Sequence, residues 1–166
     1  MAPFKFCPKC AKELVDRDDG GAQRRACPDR EGCGFVQYEN PTPVVAAIVE
    51  RDGSVILVQN KGWPSTWFGL VTGFLEKGEE PRSAMLREIR EELTMTTSEI
   101  SFVGHYAFEA MNQLIIAYHA VVEGEWTLGD ELAAAKAVPI DKVKPWPMGT
   151  GPALKDWLEQ RKRTAP

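Results

Sequence analysis

The run Arg87-Glu88-Ile89-Arg90-Glu91-Glu92, inside the stretch from Gly73 to Met95, constrains this chain more than any other segment. Its apolar spacing predicts a helix. At roughly 100° per residue, Leu86, Ile89 and Leu93 fall on one side. Glu88, Glu91 and Glu92 then gather on the other, because residues three and four apart are neighbours on a helix. Carboxylates held so close repel one another, and a helix gains nothing from that repulsion by itself. Two readings follow. One is a solvated acidic face whose charge is offset by Arg87 and Arg90. The other is a site for a hard divalent cation, since Mg²⁺ and Mn²⁺ prefer carboxylate oxygens.

The residues ahead of the helix favour the cation site. Gly73 and Gly78 bracket a tight loop, and Glu79 follows at once. Pro81 suits the first helical turn, where its missing N–H costs nothing. The spacing runs Gly73, five residues, Glu79, seven residues, then Arg87-Glu88-Ile89-Arg90-Glu91-Glu92. This resembles the Nudix box, the signature of the Nudix hydrolase family, in both outer residues and the whole Arg-Glu-x-x-Glu-Glu core. One position departs. The family usually has Gly where this chain has Thr94, just before Met95. Gly there would suit a left-handed C-cap. A β-branched residue in that conformation costs about 1–2 kcal/mol, so the helix is expected to end another way.

The four cysteines, Cys7, Cys10, Cys27 and Cys33, are confined to the first 33 of 166 residues. Cys7-Pro8-Lys9-Cys10 is a compact knuckle that can present two thiolates to one metal. The second pair is looser, with five residues between Cys27 and Cys33. Two such pairs make a tetrahedral Cys₄ zinc site, structural because four thiolates leave no open position. With no signal-peptide-like apolar segment at the start, the cytoplasm is the expected compartment, where disulfides are rare. A module of about 38 residues is below the size at which a core usually sustains itself without metal. Asp16 to Arg25 reads as a hairpin tip, Gly34 to Tyr38 as the module's last strand, and Glu39 to Pro43 as a stiff linker. The expected division is a zinc ribbon over 1–38 and a main domain over 39–166.

In the main domain, Val44 to Glu50 reads as a buried strand and Val55 to Gln59 as its hairpin partner. Gly62 to Thr66 is a loop, and Trp67 to Val71 leads into the box. Ile100 to Glu109 and Gln113 to Val122 read as two more strands. Asp130 to Ala137 is ambiguous by composition. Gly151 to Arg163 reads as a terminal helix with Leu154, Trp157 and Leu158 inward. No stretch reaches the roughly 20 apolar residues of a membrane span. The net charge of −4 argues against a nucleic-acid surface, which is normally basic. It also sets a problem for an anionic substrate, which bound cations would answer.

A Cys-rich ribbon joined by an Asn-Pro-x-Pro-like linker to a Nudix box is similar to the NADH, FAD and ADP-ribose pyrophosphatase branch. That resemblance implies an α/β/α sandwich with a mixed sheet, the box helix forming one outer layer. It implies Glu88 and Glu92 as main Mg²⁺ or Mn²⁺ ligands, with Glu91 a further ligand or water-orienting group. Glu79 reaches them from the loop, and Arg87 orients them through a salt bridge; its alternative is ordinary surface pairing. Many members use a further Glu from a later loop as base or ligand. Glu131 is the candidate here, against a solvated loop acid. Gly73 lets backbone approach the phosphates, against plain turn geometry. Trp63, Trp67, Phe74 and Tyr118 offer a stacking surface for a base, against a role in the core, and His105 and His119 read as structural. The implied partner is a small nucleotide substrate, and a homodimer is compatible with the resemblance. NADH pyrophosphatases also carry a Ser-Gln-Pro-Trp-Pro-Phe-Pro-like stretch after the box. Nothing like it occurs between Phe102 and Tyr118, and Trp146-Pro147 comes too late, so NADH preference is not expected. The expected reaction is hydrolysis of a pyrophosphate in a nucleoside diphosphate linked to another moiety, such as ADP-ribose, NAD(H) or FAD. The rival reading is a non-catalytic Nudix module that senses a nucleotide or binds a partner.

Overall fold

A reversal at Gly20-Gly21 requires positive φ at two successive residues, and both have it (65° and 86°). Type I′ turns of this kind match the twist of a two-residue hairpin. They join β1 (Val15–Asp19) to β2 (Ala22–Ala26). The computed structural model describes residues 4–164, and the chain divides into two compact units, Met1–Pro41 and Thr42–Pro166. The first unit has a very small core of Cys7, Leu14 and Cys27, with Cys33 and Phe35 against it. The strand expected at Gly34 to Tyr38 does not form. Val36 makes one isolated bridge to Ala26, and left-handed residues on either side, Gly34 (φ 65°) and Glu39 (φ 53°), bend the chain out of a ladder.

The second unit is built on the alternation of β3 (Thr42–Arg51). Successive strand side chains point to opposite faces. Val45, Ala47 and Val49 enter one core and Ile48 the other. In β4 (Ser54–Asn60) Ile56 and Val58 join the first, Val55 and Leu57 the second. A sheet apolar on both faces needs cover on both. The box helix, α1 (Pro81–Leu93), brings Ala84, Met85, Ile89 and Leu93 to one face. The terminal helix, α2 (Gly151–Thr164), brings Leu154 and Trp157 to the other, with Leu158 partly buried. The result is an α/β/α sandwich.

The sheet is mixed. β3 runs parallel to β7 (Gln113–Glu123) along one edge. Its other edge is shared by β4 and by β5 (Val71–Phe74), both antiparallel. β6 (Thr96–Phe108) pairs with β7, and β8 (Leu132–Pro139) pairs with β4. Strand β8 covers most of the segment that composition leaves open. β6 begins four residues before the expected Ile100. Among the described residues no helix is long and apolar enough to cross a membrane.

Two expectations about α1 are corrected. Leu86 is only half-buried, and Met85 takes the inward position beside Ile89. Thr94 does occupy the left-handed C-cap, with φ 57° and ψ 28°. Its backbone N–H donates to Arg90 O, and its Oγ1 donates to Thr127 O at 3.3 Å. These bonds offset part of the conformational cost. Thr94→Gly is expected to raise stability by about 0.5–1 kcal/mol, because the relief of strain exceeds the loss of one exposed hydrogen bond. Urea denaturation would measure it, and a net loss would show that the Thr127 contact dominates.

Candidate active site

The start of α1 is fixed by its own residues. Glu80, held extended by the proline after it, caps the helix by accepting from Ser83 N at 2.9 Å, and Pro81 opens the first turn. One turn on, Arg87 uses its donors as a fork. Nε and Nη2 donate to the two oxygens of Glu79 at 2.9 and 3.0 Å. Nη1 donates to Glu88 Oε1 at 2.8 Å and to Glu91 Oε2 at 2.9 Å. Nη2 also reaches Phe74 O at 3.3 Å, at the end of β5. Three carboxylates are thus tied to one cation. The Arg87 guanidinium holds Glu79 below the usual carboxylate range. Glu79 lies on Arg87 and is not among the residues that line the acidic cavity described next.

A cavity of about 320 Å³ is lined by Glu88, Glu91, Glu92, Gly129, Asp130 and Glu131. Helix α1 supplies the first three. The segment leading into β8 supplies the others, and it is laid along the end of α1 by Thr127 N to Leu93 O at 3.0 Å and Gly129 N to Glu92 O at 2.8 Å. A Cβ at Gly129 would collide with the carbonyl oxygen of Glu91. Gly129 therefore permits the close approach that carries Glu131 to the carboxylates. Sequence reasoning missed this role, since a glycine in a polar loop reads as a turn. Glu131 is held in turn by Lys61 N, which donates to its carbonyl at 2.8 Å.

Glu92 is the anomaly of the site. It is buried to 5% exposure, not solvated as the helical pattern suggests, and its Oε2 has no hydrogen-bond partner. A buried polar atom without a partner is costly. Burial, with Glu88 and Glu131 close by, pushes its pKa up to about 8. Glu88 is also raised by burial, although Arg87 works against the shift. An orphaned carboxylate oxygen facing further carboxylates fits a hard cation. The donor set is of the right kind for Mg²⁺ or Mn²⁺.

Gly73 has a more specific use than either expectation gave it. A Cβ there would overlap the carboxyl group of Glu88. Glycine is what lets Glu88 lie against β5. Because the obstructing atoms end a flexible side chain, Gly73→Ala should leave the fold intact but displace that carboxylate. Mn²⁺ affinity measured by calorimetry should fall about tenfold or more, the scale of disturbing a ligand's support; unchanged affinity would remove Glu88 from the ligand set. Of the aromatic candidates, Trp63, Trp67 and Phe74 are exposed (40%, 62% and 61%). Tyr118 is buried in the core under α1. His119 Nε2 lies 2.8 Å from Glu50 and its ring rests on Trp157, while His105 lies against Phe102.

In the first unit, the four cysteines bring their Sγ atoms within 4.8 Å of one another. Cys7 and Cys33 are 3.6 Å apart, Cys10 and Cys27 3.5 Å, and none is in a disulfide. A tetrahedron with bonds of about 2.3 Å has edges of about 3.8 Å, so the thiols are arranged to hold a metal ion. Burial pushes the Cys7 thiol up, and the backbone N–H groups of Lys9 and Cys10 together with the Cys10 and Cys33 thiols outweigh this, bringing it to about 7. Among the described residues the box carboxylates are not drawn together as tightly as the thiols, since Arg87 holds Glu88 and Glu91.

A two-helix sandwich with a carboxylate-lined cavity at the box helix defines a Nudix architecture. Residues 40–159 match the NUDIX domain family, and the chain belongs to it. A curated relative, the NAD-capped RNA hydrolase NudC of Pseudomonas aeruginosa, is 26% identical over 145 residues, covering 86% of this chain and 50% of its own. The chain thus spans about half the length of that relative. A Nudix hydrolase structure from Nitrosomonas europaea superposes with a TM-score of 0.72 at 23% identity, covering 98% of this chain and 95% of that one. The Nudix domain of Shewanella oneidensis NrtR, solved with ADP ribose, gives 0.60 at 20% identity over 75% of this chain and 89% of that one. At these identities the structures establish the fold.

Proposed function

We propose that this chain is a divalent-metal-dependent pyrophosphohydrolase acting on a nucleoside diphosphate linked to a second moiety, of the ADP-ribose, FAD or NAD(H) type, and releasing a nucleoside monophosphate. The observation that carries this reading is Glu92: a buried, unpartnered carboxylate oxygen in a cavity lined by Glu88, Glu91 and Glu131. Such a group is a liability in a fold and an asset only with a cation beside it.

In this reading Glu88, Glu91 and Glu92 hold Mg²⁺ or Mn²⁺. When bound, such ions neutralise phosphate oxygens and lower the pKa of an attacking water. Arg87 orients Glu88 and Glu91, and Glu79 fixes Arg87 rather than serving as a ligand. Glu131 is the base or a further ligand. Trp63, Trp67 and Phe74 are exposed apolar surface available to a base, worth about 1–3 kcal/mol for a stack. The name of the curated relative, an NAD-capped RNA hydrolase, supports a dinucleotide-type substrate. The lack of a Ser-Gln-Pro-Trp-Pro-Phe-Pro-like stretch between Phe102 and Tyr118, with Pro145-Trp146-Pro147 too late in the chain to replace it, argues against strong NADH preference. The cysteine cluster holds structural zinc.

A crystal soaked with ADP-ribose and Mn²⁺ tests the reading. Anomalous signal beside Glu92 with a pyrophosphate against it is expected. Nucleotide bound elsewhere, with no ion at the carboxylates, would favour a non-catalytic sensing module.

A further inference from the structure

Gln59 is a buried polar side chain outside the acidic cavity (8% exposed). It sits at the end of β4, where the pairing with β8 shifts register between Gln59 and Asn60. Its amide nitrogen donates to two main-chain carbonyls of the loop that follows, Pro64 O at 2.9 Å and Trp67 O at 3.0 Å. Both N–H groups are spent on one loop. Further bonds shape that loop, Trp63 N to Asn60 O at 3.1 Å and Trp67 N to Pro64 O at 2.9 Å. The Trp63 ring lies over Gly69, where a Cβ would come within 3.3 Å of it. At its start, Lys61 N donates to the carbonyl of Glu131 at 2.8 Å. One short loop thus carries two exposed tryptophans and grips the backbone of the cavity acid Glu131.

We propose that Gln59 is a positioning residue for nucleotide recognition: its amide fixes the 60–67 loop so that Trp67 and Trp63 are presented as a preformed platform for the base, in register with Glu131. The proposal rests on the nucleotide-hydrolase reading above. A platform already held in place loses less freedom on binding, which is how preorganisation raises affinity. A loop of this length without the two amide bonds would sample other arrangements, and the two carbonyls would turn toward water.

The test is a double-mutant cycle read by AMP binding without divalent ion, through calorimetry and quenching of tryptophan fluorescence. The variants are Gln59→Met, Trp67→Ala and the pair, each checked by thermal unfolding. Gln59→Glu, which keeps the size but loses the donors, serves if the Met variant does not fold. Trp67→Ala should weaken AMP binding about tenfold, the scale of one lost stack. Gln59→Met should weaken it about as much, and the double variant no further, because a loop residue that acts through Trp67 has nothing left to position. In turnover of ADP-ribose with Mg²⁺, KM should rise with kcat changed less than threefold. If Trp67→Ala weakens binding and folded Gln59 variants bind as tightly as wild type, the positioning role is overturned and the platform stands. Losses that multiply to about a hundredfold in the double variant likewise overturn it. If Trp67→Ala leaves AMP affinity unchanged, the platform is wrong, and the proposal falls with it while metal-dependent hydrolysis is untouched.

Discussion

Glu92→Gln is expected to lower turnover by at least about a hundredfold, the scale of losing a key electrostatic group at a reacting centre, while leaving the metal-free protein as stable as wild type or more so. Both halves come from one observation. Glu92 is buried without a partner for Oε2, and its pKa is pushed up to about 8 by burial and by Glu88 and Glu131. In the unfolded chain the same carboxyl ionises in the ordinary range near 4.5. Between those values the folded state holds a proton that the unfolded state has lost. The unfolded state therefore binds fewer protons, and stability falls as pH rises. For the metal-free protein this predicts a decline on the order of 2–4 kcal/mol between about pH 5 and pH 8, which Glu92→Gln flattens. Saturating Mn²⁺ should cancel it. Activity of the wild type should rise over neutral to alkaline pH as Glu92 loses its proton. Denaturant titrations at several pH values, with and without Mn²⁺, check the stability half. Activity surviving Glu92→Gln with little loss would remove Glu92 from the ligand set.

Removal of the metal from the cysteine cluster is expected to unfold the first unit. Its core consists of Leu14 and two cysteines of the cluster itself, Cys7 and Cys27, with Cys33 and Phe35 alongside. So small a core does not offset the chain entropy of some forty residues, and metal binding there is folding free energy. Purified protein should contain about one zinc per chain. Cys10→Ser, or treatment with a strong chelator, should abolish amide protection across residues 4–41, read by hydrogen exchange. Metal analysis without zinc, or protection that survives chelation, would contradict the assignment.

The legible parts of this fold were those with a local cause. The box helix is announced by its period, by Pro81 and by the fixed spacing from Gly73 to Glu92. β3 and β4 are announced by continuous apolar runs that contain β-branched residues, with a turn at Asp52-Gly53. The illegible parts depend on contacts distant in sequence. Glu92 belongs to the wet face of an isolated helix; it is buried because Thr127 and Gly129 lay another segment along the end of that helix. Thr94 takes the cap that usually calls for glycine, and Thr127 again supplies the partner. β8 reads Leu-Ala-Ala-Ala-Lys-Ala-Val-Pro, a sequence with little strand preference of its own, and is a strand because β4 offers it a ladder. Gly73 reads either as room for a phosphate or as plain turn geometry, and only the fold shows that the group lying against it is Glu88.

What the protein releases tests the proposed reaction most directly. Incubation with ADP-ribose, FAD, NADH and a set of nucleoside triphosphates, each with and without Mg²⁺ or Mn²⁺, and separation of products by chromatography would decide it. The predicted result is a nucleoside monophosphate from the first three, only when the divalent ion is present, with NADH not strongly favoured. Hydrolysis confined to triphosphates would contradict the substrate class, and inertness toward every compound with the metal bound would contradict the enzyme.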